Sequence, residues 1–88
     1  MSEDKQLVEL KLLSILEEAI EEEKMSAARY RHGFKLAEDP ALKKMFEKLE
    51  ADEIAHEKVL KERYYEIKKR LGLKIIGDFS QGSQPAEE

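Results

Sequence analysis

The chain has 88 residues, of which 41% are hydrophobic and 41% charged, with a net charge of −4 and no cysteine. A chain of this length forms at most one small domain, since it buries only about 60% of the surface that it exposes when unfolded. The absence of cysteine excludes disulfides, thiolate zinc sites and cysteine-ligated iron–sulfur or rubredoxin centres, and the acidic excess disfavours nucleic acid as a partner.

No segment is expected to cross a membrane, because the chain has no apolar run of about 18 residues. Its first residues, Met1-Ser2-Glu3-Asp4, lack the basic start and apolar run of a signal peptide. A cytoplasmic location is therefore the expectation.

The first predicted element is a helix over about residues 4–37. Its apolar residues recur in steps of three and four, the spacing of one helix face. They are Leu13, Leu16, Ile20, Ala27, Tyr30 and Phe34. A new helix is expected at Asp39-Pro40, because aspartate is a good N-cap and proline suits the first helical position.

The second predicted helix covers about residues 40–71, and Gly72 is its expected stop. Its apolar face consists of Leu42, Phe46, Leu49, Leu60, Tyr64, Ile67 and Leu71. Residues 1–76 are interpreted as one helical domain and residues 77–88 as a flexible tail.

The predicted fold is all-α, an antiparallel two-helix hairpin, because the connection between the helices is short. Two helices cannot enclose a core, since each apolar stripe covers the other along one side only. A homodimer of two hairpins, forming a four-helix bundle, is the simplest remedy.

Polar residues interrupt the apolar stripes at three positions, Glu23 in the first helix and Glu53 and His56 in the second. Glu23 and Glu53 are equally distant from position 38 in the predicted turn, so they should face each other at one height. That height is about 22 Å from the turn. A carboxylate is almost never buried unless it is paired or binds a metal.

Two such hairpins would contribute four carboxylates and two imidazoles, which is the ligand set of a di-iron or di-manganese carboxylate bundle. Iron is the expected metal, with manganese or another divalent metal as alternatives. Helix phase leaves Glu22 or Glu57 open as the inward acid, and Glu53 with His56 is also compatible with a local ion pair. Polar residues in the stripe can also set register in a metal-free helical interaction module.

Three further side chains near these positions have alternative interpretations. Tyr30 is either a core aromatic residue or a hydrogen-bond or electron donor beside the metals. Met25 and Met45 are expected to fill gaps in the packing rather than to act as ligands.

The segments Glu23–Tyr30 (EKMSAARY), Asp39–Leu49 (DPALKKMFEKL) and Glu53–His56 (EIAH) together resemble the ferritin-like and rubrerythrin superfamily. More narrowly, they resemble the half-size encapsulated ferritins, single hairpins that dimerise into a ferritin-like four-helix bundle. The resemblance covers about residues 13–72.

The resemblance implies that Glu23, Glu53 and His56 are iron ligands shared across a dimer interface, with Tyr30 beside the di-iron centre. It assigns Glu22 to a secondary metal site, although Met25 stands where that site has its other acid. Members of this family are ferroxidases of iron storage that form ring-shaped oligomers inside an encapsulin nanocompartment. Their short C-terminal segment docks on the shell protein.

The expected function is oxidation of Fe(II) to Fe(III), with Glu23, Glu53, His56 and Tyr30 as the catalytic residues. A rubrerythrin-like peroxide reductase is the alternative, and it would need an external electron donor because this chain has no cysteine for a rubredoxin centre.

Overall fold

A computed structural model describes residues 4–73 and contains two α-helices, α1 (Lys5–Leu36) and α2 (Pro40–Arg70). Residues 4–73 include no β-strand, so the all-helical fold class is confirmed. Both helices begin and end within one residue of the bounds expected from sequence. The tail expected over residues 77–88 lies outside the described residues.

The turn between the helices is fixed by side chains at its own edges. The Asp39 carboxylate accepts a hydrogen bond from the Leu42 amide at 3.0 Å, which is the N-cap expected before Pro40. The Lys43 ammonium donates to the Phe34 carbonyl at 2.6 Å and lies 4.2 Å from the centre of the Phe34 ring. A cation from α2 therefore caps the last turn of α1.

The end of α2 is a glycine stop of the expected kind. Gly72 adopts a φ of 74°, which a residue without Cβ adopts at little cost. The Gly72 amide donates to the Lys69 carbonyl at 3.0 Å and the Leu73 amide to the Lys68 carbonyl at 2.9 Å. This pair of bonds is a Schellman motif, and it satisfies carbonyls that the helix leaves free.

Residues later in α1 contact residues earlier in α2. Glu9 pairs with Arg70, Glu17 with Tyr64 and Arg31 with Glu50. The hairpin is thus antiparallel, with an open end where α1 begins and α2 ends.

The buried core lies in the half of the hairpin nearer the open end. It consists of Leu13, Ile20, Tyr64 and Ile67. Ile20 is fully buried. Leu16, Leu60, Tyr65 and Leu71 pack against this cluster.

The half nearer the turn is held by a close helix approach. A Cβ atom on Gly33 would lie 2.9 Å from the Phe46 ring, so glycine allows this ring to pack directly on the α1 backbone. Tyr30 stacks on the same ring with centroids 6.3 Å apart. Ala27, the third buried residue of α1, lies between this contact and the core.

The prediction that Met25 and Met45 fill gaps in the packing is wrong for the core of the single hairpin. Met25 is 61% exposed and Met45 is 47% exposed. Met25 follows Glu23 by two residues, which places it about 200° further around α1, away from α2. Met45 precedes the inward Phe46 by one residue and is therefore displaced about 100° toward solvent.

Neither helix is long and apolar enough to cross a membrane within the part of the chain that the structure describes.

Candidate metal centre

Glu23 and Glu53 lie between the helices near the middle of each one. The Glu23 side chain is 24% exposed and the Glu53 side chain 20% exposed, whereas His56 is 62% exposed. Helical spacing explains this gradient: Glu53 shares the inward stripe with Phe46, Leu60 and Ile67, and His56 lies about 60° to one side of it.

The three side chains meet at one point, as the equal distance of Glu23 and Glu53 from the turn predicts. His56 Nδ1 lies 3.3 Å from Glu53 Oε1 and 3.6 Å from Glu23 Oε1. One ligand atom from each residue lies within 4.8 Å of the other two. Within residues 4–73, no other group of three potential ligands meets this distance.

Glu23 is the member of the group whose hydrogen-bonding capacity is least satisfied. Its Oε1 atom is buried and accepts no hydrogen bond in the described structure, since 3.6 Å to His56 is too long for one. The neighbouring Glu53 carboxyl, followed by burial, raises the pKa of the Glu23 carboxyl above its ordinary value, and His56 only partly offsets these effects.

The donor set suits a hard divalent cation. Carboxylate oxygens and one imidazole nitrogen are ligands that iron, manganese and zinc accept, and no thiolate is present to select a softer metal. A cation here would satisfy the orphaned Glu23 oxygen and remove the repulsion between the two carboxylates. The residues therefore fit a metal ion, with three protein ligands from one chain.

The other predicted site residues lie apart from this group. Glu22 is exposed, and Glu57 forms a 2.7 Å ion pair with Lys61. Glu23, not Glu22, and Glu53, not Glu57, are thus the acids that converge. Tyr30 is half-buried two turns from Glu23, and its ring contacts Phe46.

The polar contact between Glu17 of α1 and Tyr64 of α2 was not predicted from sequence. The buried Tyr64 hydroxyl donates to Glu17 Oε2 at 2.9 Å, and burial followed by this bond raises the pKa of Tyr64 to about 12. Tyr64 fits the apolar stripe of α2, and a contact spanning 47 residues has no signal in local sequence. The only hint is the seven-residue spacing of Glu50, Glu57 and Tyr64, which places them on one side of α2.

These residues define a surface that we call the paired edge. It comprises Glu17, Arg31, Glu50, Glu57, Lys61 and Tyr64, and each of them has a partner within the chain.

The surface on the other side of the buried stripes carries the metal-ligand group. Exposed apolar residues accompany it: Leu12 is 41% exposed, Leu42 38% and Met45 47%. Each lies eleven residues, about three helical turns, from a member of the group. We call this surface the open face: Leu12, Glu23, Leu42, Met45, Glu53 and His56.

Comparison with protein-family models, curated proteins and solved structures finds no significant match to this chain. The ferritin-like resemblance stays a prediction that rests on the residues quoted for it.

Proposed function

We propose that two copies of the hairpin pair through their open faces and oxidise Fe(II) to Fe(III) at a di-iron site built from Glu23, Glu53 and His56 of each copy. The observation that carries this proposal is the convergence of two carboxylates and an imidazole around an orphaned, buried Glu23 oxygen. Without a cation, that arrangement places like charges together between two helices.

The distribution of exposed apolar residues supports a two-fold pairing. Leu12 lies about 16 Å from the level of Glu23 toward the open end, and Met45 lies about 16 Å from the level of His56 toward the turn. A two-fold axis through the ligand level would bring Leu12 of one copy opposite Met45 of the other. Both residues are more than 40% exposed in a single hairpin, and pairing would remove them from water.

The protein's contribution to the reaction is charge and geometry. Four carboxylates stabilise Fe(III) more than Fe(II), because the higher charge gains more from anionic oxygen ligands, and this favours loss of an electron. Two Fe(II) ions reduce O₂ with two protons to H₂O₂, or reduce H₂O₂ with two protons to two waters. His56 and the two glutamates of each chain hold the pair of ions at one level in the bundle.

Tyr30 has a supporting role in this proposal. Its ring is fixed against Phe46, on the turn side of the ligand group. In a bundle, its hydroxyl is a candidate hydrogen-bond or electron donor to the centre. Glu22 is exposed beside Glu23 and is proposed as an entry ligand for incoming iron.

Iron storage needs more than this unit, because the two described helices enclose no chamber. A larger ring of dimers and an encapsulin shell are the assemblies that the family resemblance suggests. The stretch of this chain that would correspond to the shell-docking segment of that family is residues 73–77, and all of it except Leu73 lies outside the described residues.

The test is stopped-flow oxidation of Fe(II) loaded anaerobically and then mixed with O₂ or with H₂O₂. Glu53→Gln should lose oxidation by at least about 100-fold, since even residues that only support metal ligands cost 10–100-fold. The matched control is Glu62→Gln, which removes an exposed carboxylate from the same helix and should leave the rate unchanged.

Three other outcomes would count against this proposal. Wild-type protein that binds no iron would support a metal-free interaction module. Slow reaction with O₂ but fast reaction with H₂O₂, sustained only with an added electron donor, would support a peroxide reductase. An unchanged rate in Glu53→Gln would contradict the site assignment.

A further inference from the structure

Tyr64 combines a buried ring with a proton acceptor at the surface. The residue is 6% exposed, and its hydroxyl donates to Glu17 Oε2 at 2.9 Å. Glu17 is exposed on α1, so a proton that reaches its carboxylate can pass on to water. A buried hydroxyl needs an acceptor for stability alone, but a carboxylate is also a base. The phenol ring is thus shielded from solvent while its proton has a route out.

This geometry is what a phenol needs in order to give up an electron. Loss of an electron makes the phenol O–H strongly acidic, so the electron leaves readily only where a base lies within hydrogen-bond distance of the proton. Burial, followed by the bond to Glu17, raises the pKa of Tyr64 to about 12. The phenol therefore keeps its proton at neutral pH and cannot react as a phenolate.

The surroundings of the ring favour loss of the proton together with the electron. The Lys68 ammonium lies 5.6 Å from the centre of the Tyr64 ring. A tyrosine radical that kept its proton would be a second positive charge beside that ammonium, whereas the neutral radical is not. The Tyr65 ring lies edge-on to Tyr64 with centroids 5.5 Å apart, and it is only half-buried. It is a neighbour through which a reductant in solution can restore Tyr64.

The Tyr64–Glu17 pair lies close to the candidate metal centre but outside it. Glu17 precedes Glu23 by six residues and Tyr64 follows His56 by eight, which is about 9 Å and about 12 Å along the two helices. The fully buried Ile20 lies between the two levels and belongs to the same core cluster as Tyr64. Closely packed side chains of this kind allow an electron to tunnel over such a distance.

The proposed function supplies the oxidant that this pair would meet. Two Fe(II) ions provide the two electrons that H₂O₂ needs, but a site that holds a single ion provides only one. The O–O bond of H₂O₂ then breaks to give hydroxide and a hydroxyl radical, while Fe(II) becomes Fe(III). This radical oxidises most side chains that it meets.

We propose that Tyr64 and Glu17 form an electron-donor pair that removes oxidising radicals formed at the candidate metal centre. One electron passes from the Tyr64 ring to the hydroxyl radical, which becomes hydroxide, and the phenol proton moves to Glu17 in the same step. The products are a neutral tyrosyl radical and a protonated Glu17. The inference rests on the proposed function for the source of the radical, and it adds a protective role for two residues outside the ligand group.

The test first generates the tyrosyl radical without any metal in the protein. The full chain, with chelator present, is oxidised by photogenerated tris(bipyridine)ruthenium(III), which takes one electron. Transient absorbance and electron paramagnetic resonance detect the neutral tyrosyl radical, and Tyr64→Phe and Tyr30→Phe assign it. Glu17→Gln keeps a hydrogen-bond acceptor but removes the base. Glu18→Gln, which changes the next exposed carboxylate of α1, is the matched control.

We expect a long-lived tyrosyl radical in the wild type and in Tyr30→Phe, and its loss in Tyr64→Phe. Glu17→Gln should slow formation of the radical by at least about 100-fold, the lower end of what a positioned base contributes. Glu18→Gln should leave the rate unchanged. The same radical should appear when wild-type protein with less than one Fe(II) per chain reacts with H₂O₂.

Failure of this inference differs from failure of the proposed function. A radical that persists in Tyr64→Phe, or forms at the wild-type rate in Glu17→Gln, would overturn the donor pair. A Tyr64 radical with the ruthenium oxidant but none with H₂O₂, in protein that binds iron, would overturn its protective role and leave the ferroxidase standing. Protein that binds no iron would overturn the proposed function, and the metal-free measurement would still decide on the pair.

A second variant covers the case in which Tyr64→Phe does not fold. The chain has three tyrosines, so Tyr30→Phe combined with Tyr65→Phe leaves Tyr64 as the only one. This variant should still form the radical, and adding Glu17→Gln should slow it by the same factor as in the wild type. Absence of the radical would overturn the donor pair. Circular dichroism checks that each variant keeps its helices.

Discussion

The open face and the paired edge lie between the same two helices, but they differ in whether a carboxylate of α1 is hydrogen-bonded within the chain. Glu17 and Glu23 both belong to α1, six residues apart. Glu17 accepts a hydrogen bond from the buried Tyr64 hydroxyl, whereas Glu23 has a buried oxygen without any hydrogen-bond partner in the described structure. A carboxylate satisfied within the chain stabilises the fold, and one left unsatisfied points to a ligand from outside.

The difference arises from the donors that α2 presents on its two sides. On the paired edge it offers the Tyr64 hydroxyl and the Lys61 ammonium, and Lys61 is bound to Glu57 at 2.7 Å. On the open face it offers another carboxylate, Glu53, and the imidazole of His56. A protein that needed only stability would place a donor at position 53.

The largest expected effect is a loss of metal binding when Glu23, but not Glu17, is replaced. Glu23→Gln removes a proposed ligand and should weaken Fe(II) or Co(II) binding by at least about 100-fold. Glu17→Gln makes the same change in shape and charge but lies outside the ligand group, so metal affinity should stay within about twofold of the wild type. Titration followed by absorbance of the bound Co(II) measures both, and equal losses in the two variants would mean that the effect is one of overall charge.

The next effect in size should appear at the paired edge, as a loss of stability. Glu17→Ala leaves the buried Tyr64 hydroxyl without its acceptor, which costs about 1–3 kcal/mol in free energy of unfolding. Urea denaturation of the metal-free protein measures it. Adding Tyr64→Phe should recover part of the loss, because the hydroxyl that has lost its Glu17 acceptor is then absent. No recovery would mean that Glu17 acts in another way.

Much of this contrast could be predicted from the sequence, but only on one of its two sides. The ligand group of the open face is predicted, to within one residue, by local rules: a seam in steps of three and four, a turn at Asp39-Pro40, and equal distances of Glu23 and Glu53 from that turn. The paired edge does not. Tyr64 is compatible with the apolar stripe, and only the relative rotation of the helices decides that its hydroxyl reaches Glu17.

Helix rotation also explains the wrong prediction for the methionines and the ambiguity between adjacent glutamates. One residue changes the direction of a side chain by about 100°. A pattern read to within one residue therefore cannot separate Glu22 from Glu23, or Met45 from Phe46. Packing separates them, because Phe46 contacts both Gly33 and Tyr30.

The pH dependence of stability should sharpen the contrast further. The pKa of Glu23 is raised in the folded state above 4.5, so its favourable contribution is complete below that pH and is lost as pH rises through the higher folded value. The metal-free wild type should therefore lose stability relative to Glu23→Gln as pH rises above 4.5.

Thermal melts of both proteins at several pH values, with chelator present, measure this difference. Tyr64 is the counterpart on the paired edge: its contribution should persist to pH 10 and be lost as pH approaches 12. A constant difference between wild type and Glu23→Gln across the acid range would contradict the proposed proximity of the two carboxylates.

The smallest effect should come from the most exposed contact of the paired edge. Arg31 donates to Glu50 at 2.7 Å, but the Arg31 side chain is 54% exposed. Arg31→Ala should therefore cost only about 0.2–1 kcal/mol, and added salt should reduce that cost. Lys61→Met should cost more and depend less on salt, because Lys61 and Glu57 are only 16% and 17% exposed and the substitution leaves Glu57 without its ion-pair partner. Urea denaturation at low and high salt compares the two variants. Equal costs and equal salt dependence in the two variants would show that exposure does not govern the strength of these contacts.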